Sequence, residues 1–290
     1  MHSTSFPNRR SDVATTKNES CILSDMRLAH LSDLHVLDER SDPGLGVRFV
    51  SLGRPIDVAE RRRKVLRAFD RAKAAGADHF ILSGDLTETG TDLQYEAFAD
   101  ILHSARIAPS MVTLVPGNHD LYARPDAWRL ALDGPLAPWR ECAAEGPGKI
   151  VDLGAVHVAP IDVTVHQRVT SSNGSVTLEL ADALERRLGD SALGRTPLVV
   201  VQHHPPYAHK NPVMQWIDGL RDWSRVFGLL LKHAHAYVMH GHLHRTGDHG
   251  VRDAHDVRIF GAPAIVEDEH GPRVRLYDVR GGVLESAGLG

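Results

Sequence analysis

The sequence predicts an α/β protein, and three observations carry that reading. Short apolar runs alternate with amphipathic helical patterns from Arg27 onward, and the runs are apolar throughout, as strands buried on both faces must be. The first three runs, at residues 27–33, 80–82 and 111–115, are separated by helix-length segments, which makes a βαβαβ unit of parallel strands. A length of 290 residues with 42% hydrophobic and 24% charged side chains is ordinary globular composition with material for a sizeable core.

Residues 1–25 are rich in Ser, Thr, Asn and Arg without periodicity and read as a mobile polar tail, leaving 26–290 as one domain. The tail has no apolar run able to act as a signal sequence, and nowhere do roughly 18 apolar residues follow one another, so a soluble, cytoplasmic protein without a membrane partner is expected. Asp57 is placed to cap a helix with Val58, Val65, Leu66, Phe69 and Ala72 on one face and Gly76 at its stop. After the strand Phe80-Ile81-Leu82, Thr91 and Gln94 have capping-box spacing ahead of a stripe of Leu93, Ala97, Ile101, Leu102 and Ala105. Farther along, 150–163 reads as two short strands about Gly154, 178–188 as a helix ending at Gly189, and 197–202 and 236–239 as apolar strands. A helix is expected within 211–235, and antiparallel strands at 257–260, 264–266, 273–279 and 282–286.

Thirty-three Lys and Arg against 37 Asp and Glu leave a net charge of −4, which gives no compositional support to a nucleic-acid partner. Cys21 and Cys142 alone build neither a disulfide framework nor a Cys-rich zinc knuckle, so a bound metal would be held by nitrogen and oxygen. The 19 His outnumber all aromatic residues together and point to imidazole chemistry.

Five apolar runs end in residues of metal-ligand type, at strand carboxyl ends, where open α/β sheets place their sites. Asp33 and His35, two apart on an extended segment, face one side and can reach one ion; taken alone, Asp33 also fits a strand end that caps a turn. Gly84 lets Asp85 project over the sheet edge, though Gly-Asp is also a plain turn. The third run ends Pro116-Gly117-Asn118-His119-Asp120, offering an amide oxygen as a neutral ligand and an imidazole with a carboxylate behind it. In Gln202-His203-His204-Pro205-Pro206 neighbouring imidazoles diverge, so one of the two ligates. His242 and His244 again stand two apart, for which a structural histidine pair is the alternative. The donors Asp33, His35, Asp85, Asn118, His203, His242 and His244 exceed one tetrahedral ion and suit two ions that share a carboxylate.

These segments, in this order and spanning residues 33–244, resemble the five motifs of the calcineurin-like metallophosphoesterase superfamily. The resemblance implies a four-layer α/β/β/α sandwich with two central mixed β-sheets. It implies that Asp33, His35 and His244 bind one metal, that Asn118, His203 and His242 bind the other, and that Asp85 bridges them. It selects His203 over His204 by its distance from a proline, a choice that reverses if the second proline is the relevant one. His119 falls on the non-ligand catalytic histidine, with Asp120 as its partner. Two divalent or transition metal ions (Mn, Fe, Zn or Co) are implied as cofactors, with in-line attack of a metal-bridging hydroxide on a small-molecule phosphoester.

The His-His-Pro-Pro segment and compact length are similar to the bacterial branch of cyclic-nucleotide and glycerophosphodiester phosphodiesterases, which implies a phosphodiester substrate and a homodimer. A phosphomonoesterase or nucleotide-pyrophosphate hydrolase would use the same centre, and a non-catalytic scaffold would keep only the fold. The long segment 36–56, with Arg40, Arg48 and Arg54, fits either a surface loop or an arm over the metals carrying an arginine for a substrate anion. Tyr207, His209, Met214 and Trp216 offer a second wall, or else core and interface, and His30, His79, His157 and His255 read as ordinary residues outside the site.

Overall fold

Strands that are apolar at every position must bury both faces, and the chain meets that demand by stacking two sheets between two helical layers. The computed structural model describes residues 25–40, 45–51, 53–167, 170–194, 196–253, 255–269, 271 and 273–289, so the expected polar tail lies, but for Asp25, outside the described residues. Along the chain run β1 (Met26–Leu31), α1 (Leu45–Val50), α2 (Val58–Ala74), β2 (His79–Ser83), α3 (Asp92–Ser104), β3 (Val112–Val115), α4 (Ala127–Asp133), β4 (Val151–Asp152), β5 (His157–Pro160), β6 (Gly174–Ser175) and α5 (Leu178–Leu188). They are followed by β7 (Leu198–Val201), α6 (Pro212–Ile217), β8 (Leu220–Arg221), α7 (Trp223–Lys232), β9 (Ala236–His240), β10 (Gly247–Gly250), β11 (Val257–Gly261), β12 (Arg275–Arg280) and β13 (Val283–Leu289).

The first sheet has the order β13-β12-β1-β2-β3 and the second β10-β11-β9-β7-β5-β4, while β6 and β8 form a separate ribbon. β1, β2 and β3 are mutually parallel, as are β5, β7, β9 and β11, and antiparallel strands lie at every edge of these two sheets except that of β3. The two-residue period of a strand sorts its side chains between cores. Phe80 and Leu82 pack outward with Phe69 of α2 and Phe98 of α3, whereas Ile81 between them joins Val199, Val201 and Met239 in the seam between the sheets. In β7 and β9, Leu198, Val200, Ala236 and Val238 pack outward with Leu184 of α5 and Leu230 of α7. This is the four-layer sandwich.

Local chemistry sets the helix starts. The Asp57 carboxylate accepts from the Glu60 N–H at 2.8 Å, and Thr177 caps α5 through the Leu180 N–H at 3.1 Å. Thr91 caps α3, but Gln94 completes only half a capping box, because its side-chain oxygen reaches past Thr91 to the Thr89 N–H at 2.8 Å.

Several expected elements differ. Residues 211–235 carry the expected helix as α7 and a second, shorter one as α6, which ends at Ile217; Gly219 packs tightly against Gln215, and Leu220–Arg221 pairs with β6 between the two helices. β11 lies parallel to β9, not antiparallel, because the polar β10, which carries no apolar pattern, supplies its antiparallel neighbour. Residues 264–266 extend no sheet; Ile265 and Val266 instead donate to the carbonyls of Ser32 and Asp33 beyond the end of β1. The segment 36–56 holds α1, and α4 arises where the sequence shows no clear periodicity. Among the described residues no helix is long and apolar enough to cross a membrane.

His79, at the buried start of β2, contacts the Thr113 hydroxyl at 2.9 Å, and burial pushes its imidazole down to about 4. A folded-state value below the unfolded one means that the stability is present above about pH 6.5 and is lost as pH falls towards 4, by about 3 kcal/mol. In chelator, urea unfolding of the wild type should therefore lose about that much more than His79→Gln between pH 7 and 4. Equal losses in the two chains would refute this role for His79.

Candidate metal centre

All seven candidate ligands lie beyond the carboxyl ends of parallel strands: Asp33 and His35 after β1, Asp85 after β2, Asn118 after β3, His203 after β7, and His242 and His244 after β9. Their approach requires unusual backbone. Asp33, His35, Asp85, His242 and His244 have φ of +54°, +48°, +49°, +69° and +53°, a region that costs a non-glycine residue on the order of 1–3 kcal/mol. Hydrogen bonds between the strand ends hold it: Asp33 N donates to the Gly84 carbonyl at 3.1 Å and His35 N to the Asp85 carbonyl at 2.9 Å. The motif glycines are needed for proximity, since a Cβ on Gly117 would stand 2.2 Å from Asp85 Oδ1 and one on Gly241 1.8 Å from the Ser32 hydroxyl.

Asp85 occupies the middle. Its Oδ2 lies 3.3 Å from His203 Nε2, 3.7 Å from His35 Nε2 and 4.0 Å from His119 Nε2, and its Oδ1 accepts from the His119 N–H at 2.9 Å. Asp33 Oδ1 lies 3.3 Å from His244 Nε2. Two clusters of metal-ligand type result, Asp33 with His35 and His244, and Asp33 with Asp85 and His203.

The electrostatics favour positive charge here. Burial opposes charging His244, yet Asp33 and Glu267 outweigh it and raise the imidazole to about 10. The same contest, won by Asp85 and Asp33, leaves His203 at about 9. Against burial, both carboxyls are held below their usual range by the surrounding imidazoles. Asp33 Oδ1, His203 Nε2, both nitrogens of His35 and Asn118 Oδ1 are buried without a hydrogen-bond partner among the described residues. Each such group costs roughly 1–3 kcal/mol. Once the imidazoles give up their protons, these converging nitrogen and oxygen atoms are what a pair of divalent cations would take, so the donor set fits the metals implied by the sequence.

Outer partners fix which ligand atom faces inward. His203 Nδ1 donates to the Ser83 carbonyl at 2.8 Å, leaving Nε2 towards Asp85. His204 instead donates Nε2 to the Ser172 carbonyl at 2.6 Å, so the structure brings His203 and not its neighbour to Asp85. His242 Nε2 is tied to the Asp218 carbonyl at 2.8 Å and carboxylate at 3.1 Å, and His244 Nδ1 donates to Glu267 at 2.6 Å. The Asn118 amide donates to the Tyr122 hydroxyl at 2.9 Å, which frees its oxygen for the centre.

His119 faces the cluster through Nε2, with Nδ1–H on the Glu88 carbonyl at 2.8 Å; burial holds its imidazole below the usual value. Asp120 is not its orienting partner. The Asp120 carboxylate accepts from the N–H groups of Leu86, Thr87 and Gly117 and from the Thr87 hydroxyl at 2.7–3.0 Å, tying the β2 and β3 exits together, and burial beside Asp85 pushes it up to about 7. Glu88, Asp218, Glu267 and Tyr122 join the site without having been singled out by pattern; of these only Glu88 has a local signal, in the run Gly84-Asp85-Leu86-Thr87-Glu88. Glu88 with His35 and His119 makes a third metal-like trio, but Arg54 and Arg61 already bind this carboxylate.

The cluster opens into a cleft of about 490 Å³. Segment 36–56 contributes Val50 and Arg54 to it, while Arg40 pairs with Glu96 on the surface and Arg48 is exposed. Of the expected second wall, Met214 lines the cleft, Tyr207 and His209 line a separate cavity of about 620 Å³, and Trp216 is exposed under Arg221.

A sequence profile described as calcineurin-like phosphoesterase matches residues 26–246. The chain is 23% identical over 82% of its length to a 3′,5′-cyclic-nucleotide phosphodiesterase of Nostoc sp., covering 77% of that protein. It is 24% identical over 83% of its length to a Pseudoalteromonas protein named a probable cyclic nucleotide phosphodiesterase, covering 78% of it. Its fold matches a dimetal phosphatase of Danio rerio with a TM-score of 0.66 at 13% identity, over 93% of this chain and 96% of the other.

The glycine contacts give a stability contrast. Gly241→Ala must displace Ser32 and should cost about 1–3 kcal/mol, whereas Gly228→Ala, in α7 with open space at its Cβ, should gain about 0.5–1 kcal/mol. Urea denaturation of both variants checks this, and a neutral Gly241→Ala would contradict the packing described.

Proposed function

This chain belongs to the calcineurin-like phosphoesterase family, and from that premise we propose that it is a binuclear-metal phosphodiesterase acting on small phosphodiesters. The observation that carries the proposal is the convergence of buried carboxylate, imidazole and amide groups around Asp33 and Asp85 at the floor of an open cleft. The names of the Nostoc and Pseudoalteromonas relatives favour a diester over a monoester. On this reading Asp33, His35 and His244 would hold one cation and Asn118, His203 and His242 the other, with Asp85 available to both. When bound, such cations would acidify a coordinated water and offset charge on the phosphoryl oxygens.

The protein groups then have distinct tasks. Asp218, Glu267, Tyr122 and the Ser83 carbonyl hold the ligands in orientation. The Glu88 carbonyl keeps the His119 proton on Nδ1, so Nε2 is an acceptor on the cleft side. From there it would pass a proton taken up from solvent to the leaving oxygen as the phosphorus–oxygen bond breaks.

The test uses chelated protein reloaded with Mn, Fe, Co or Zn, assayed for metal and for hydrolysis of an aryl phosphodiester beside its monoester. About two metals per chain and faster diester turnover are expected. Asp85→Ala and Asn118→Ala should abolish metal-dependent hydrolysis with the fold retained. His119→Ala should keep its metals and lose about 10²–10⁴-fold in kcat. Protein that binds no metal, or that prefers the monoester, would overturn the proposal.

A further inference from the structure

Arg54 is the one lysine or arginine among the described residues lining the cleft. Its side chain is only 11% exposed, and its Nη2 donates to Glu88 Oε1 at 2.9 Å and to the Val50 carbonyl at 3.3 Å, while its buried Nε has no partner. Glu88 is in turn fixed by Arg61 of α2, which also donates to the His35 carbonyl at 2.9 Å and the Pro55 carbonyl at 2.8 Å. One buried carboxylate between two guanidiniums leaves one positive charge without a counterion in the trio, and of the two only Arg54 borders the cleft. The carboxylates lining the cleft have imidazole partners of their own: Glu267 is engaged by His244 at 2.6 Å, Asp218 by His242 at 3.1 Å and Asp85 by His203 at 3.3 Å. Glu88 Oε1 also lies 3.7 Å from His119 Nδ1, which sets the guanidinium beside the histidine facing the donor cluster.

We propose that Arg54 is the anion-binding residue of this cleft, the part of its guanidinium that borders the cleft holding a non-bridging phosphoryl oxygen of the substrate, with Glu88 as the residue that positions it. The inference rests on the phosphoesterase reading of the cleft. An arginine fixed in place by a buried carboxylate loses little freedom on binding, so its contribution falls mainly on affinity.

The probe is inorganic phosphate, titrated calorimetrically into the full metal-reloaded chain, beside KM and kcat for the aryl phosphodiester. Arg54→Met should weaken phosphate binding and raise KM about tenfold or more, with kcat reduced less and metal content unchanged, and Arg54→Lys should recover part of the affinity as a point charge. Arg54→Gln, which keeps a donor for Glu88, replaces Arg54→Met if that variant does not fold. Phosphate affinity within twofold of wild type, a wild type that does not bind phosphate, or weaker binding that merely tracks metal loss would each overturn the inference. Weakened phosphate binding in a protein without diester turnover would uphold it and remove the diesterase reading instead.

Discussion

Two buried carboxylates, Asp33 and Asp85, set the terms on which this molecule is built. Neither is exposed, burial alone would drive both towards the neutral acid, and imidazoles drawn from both sheets hold them ionised. Bringing four rings within about 4 Å of these groups leaves no room for ordinary loops, so the exits of the strands turn at once. The left-handed residues and the glycines pressed against Asp85 and Ser32 are consequences of that crowding.

Strain of this kind persists only when the surroundings determine the backbone more strongly than the local preference does. Here the surroundings are parallel strands with both faces buried and all carboxyl ends on one side, so that β1, β2, β3, β7 and β9 deliver their polar exits to one place. Asp120 shows how tightly the exits are bound to one another, since its four accepted hydrogen bonds join the segments after β2 and β3. A carboxylate that reads in sequence as a partner for its neighbour is in space a clamp for the backbone.

The apolar runs and the polar residues that end them are legible in sequence because both are local: a buried strand must be apolar, and its exit residues lie at the sheet edge. Asp218 and Glu267 are not legible, since each meets its histidine across a distance in sequence that no spacing rule covers. In segment 211–235 the helix is legible but its division is not, as the apolar residues serve α6, a short ribbon strand and α7 in turn. The strand β10 offers only Gly, Asp and His to a reader of patterns and is recruited by its pairing with β11.

The donors hang from two different jaws. Asp33, His35, Asp85 and Asn118 belong to the first sheet and His203, His242 and His244 to the second, and the jaws are held apart by the apolar seam of Ile81, Val115, Val199, Met239 and the Phe260–Tyr277 contact at 4.9 Å. Side-chain volume in that seam therefore works as a spacer between the two sets of polar side chains. A methylene gained or lost there would shift one jaw against the other, so the spacing of these polar side chains is set in part by residues that never see solvent.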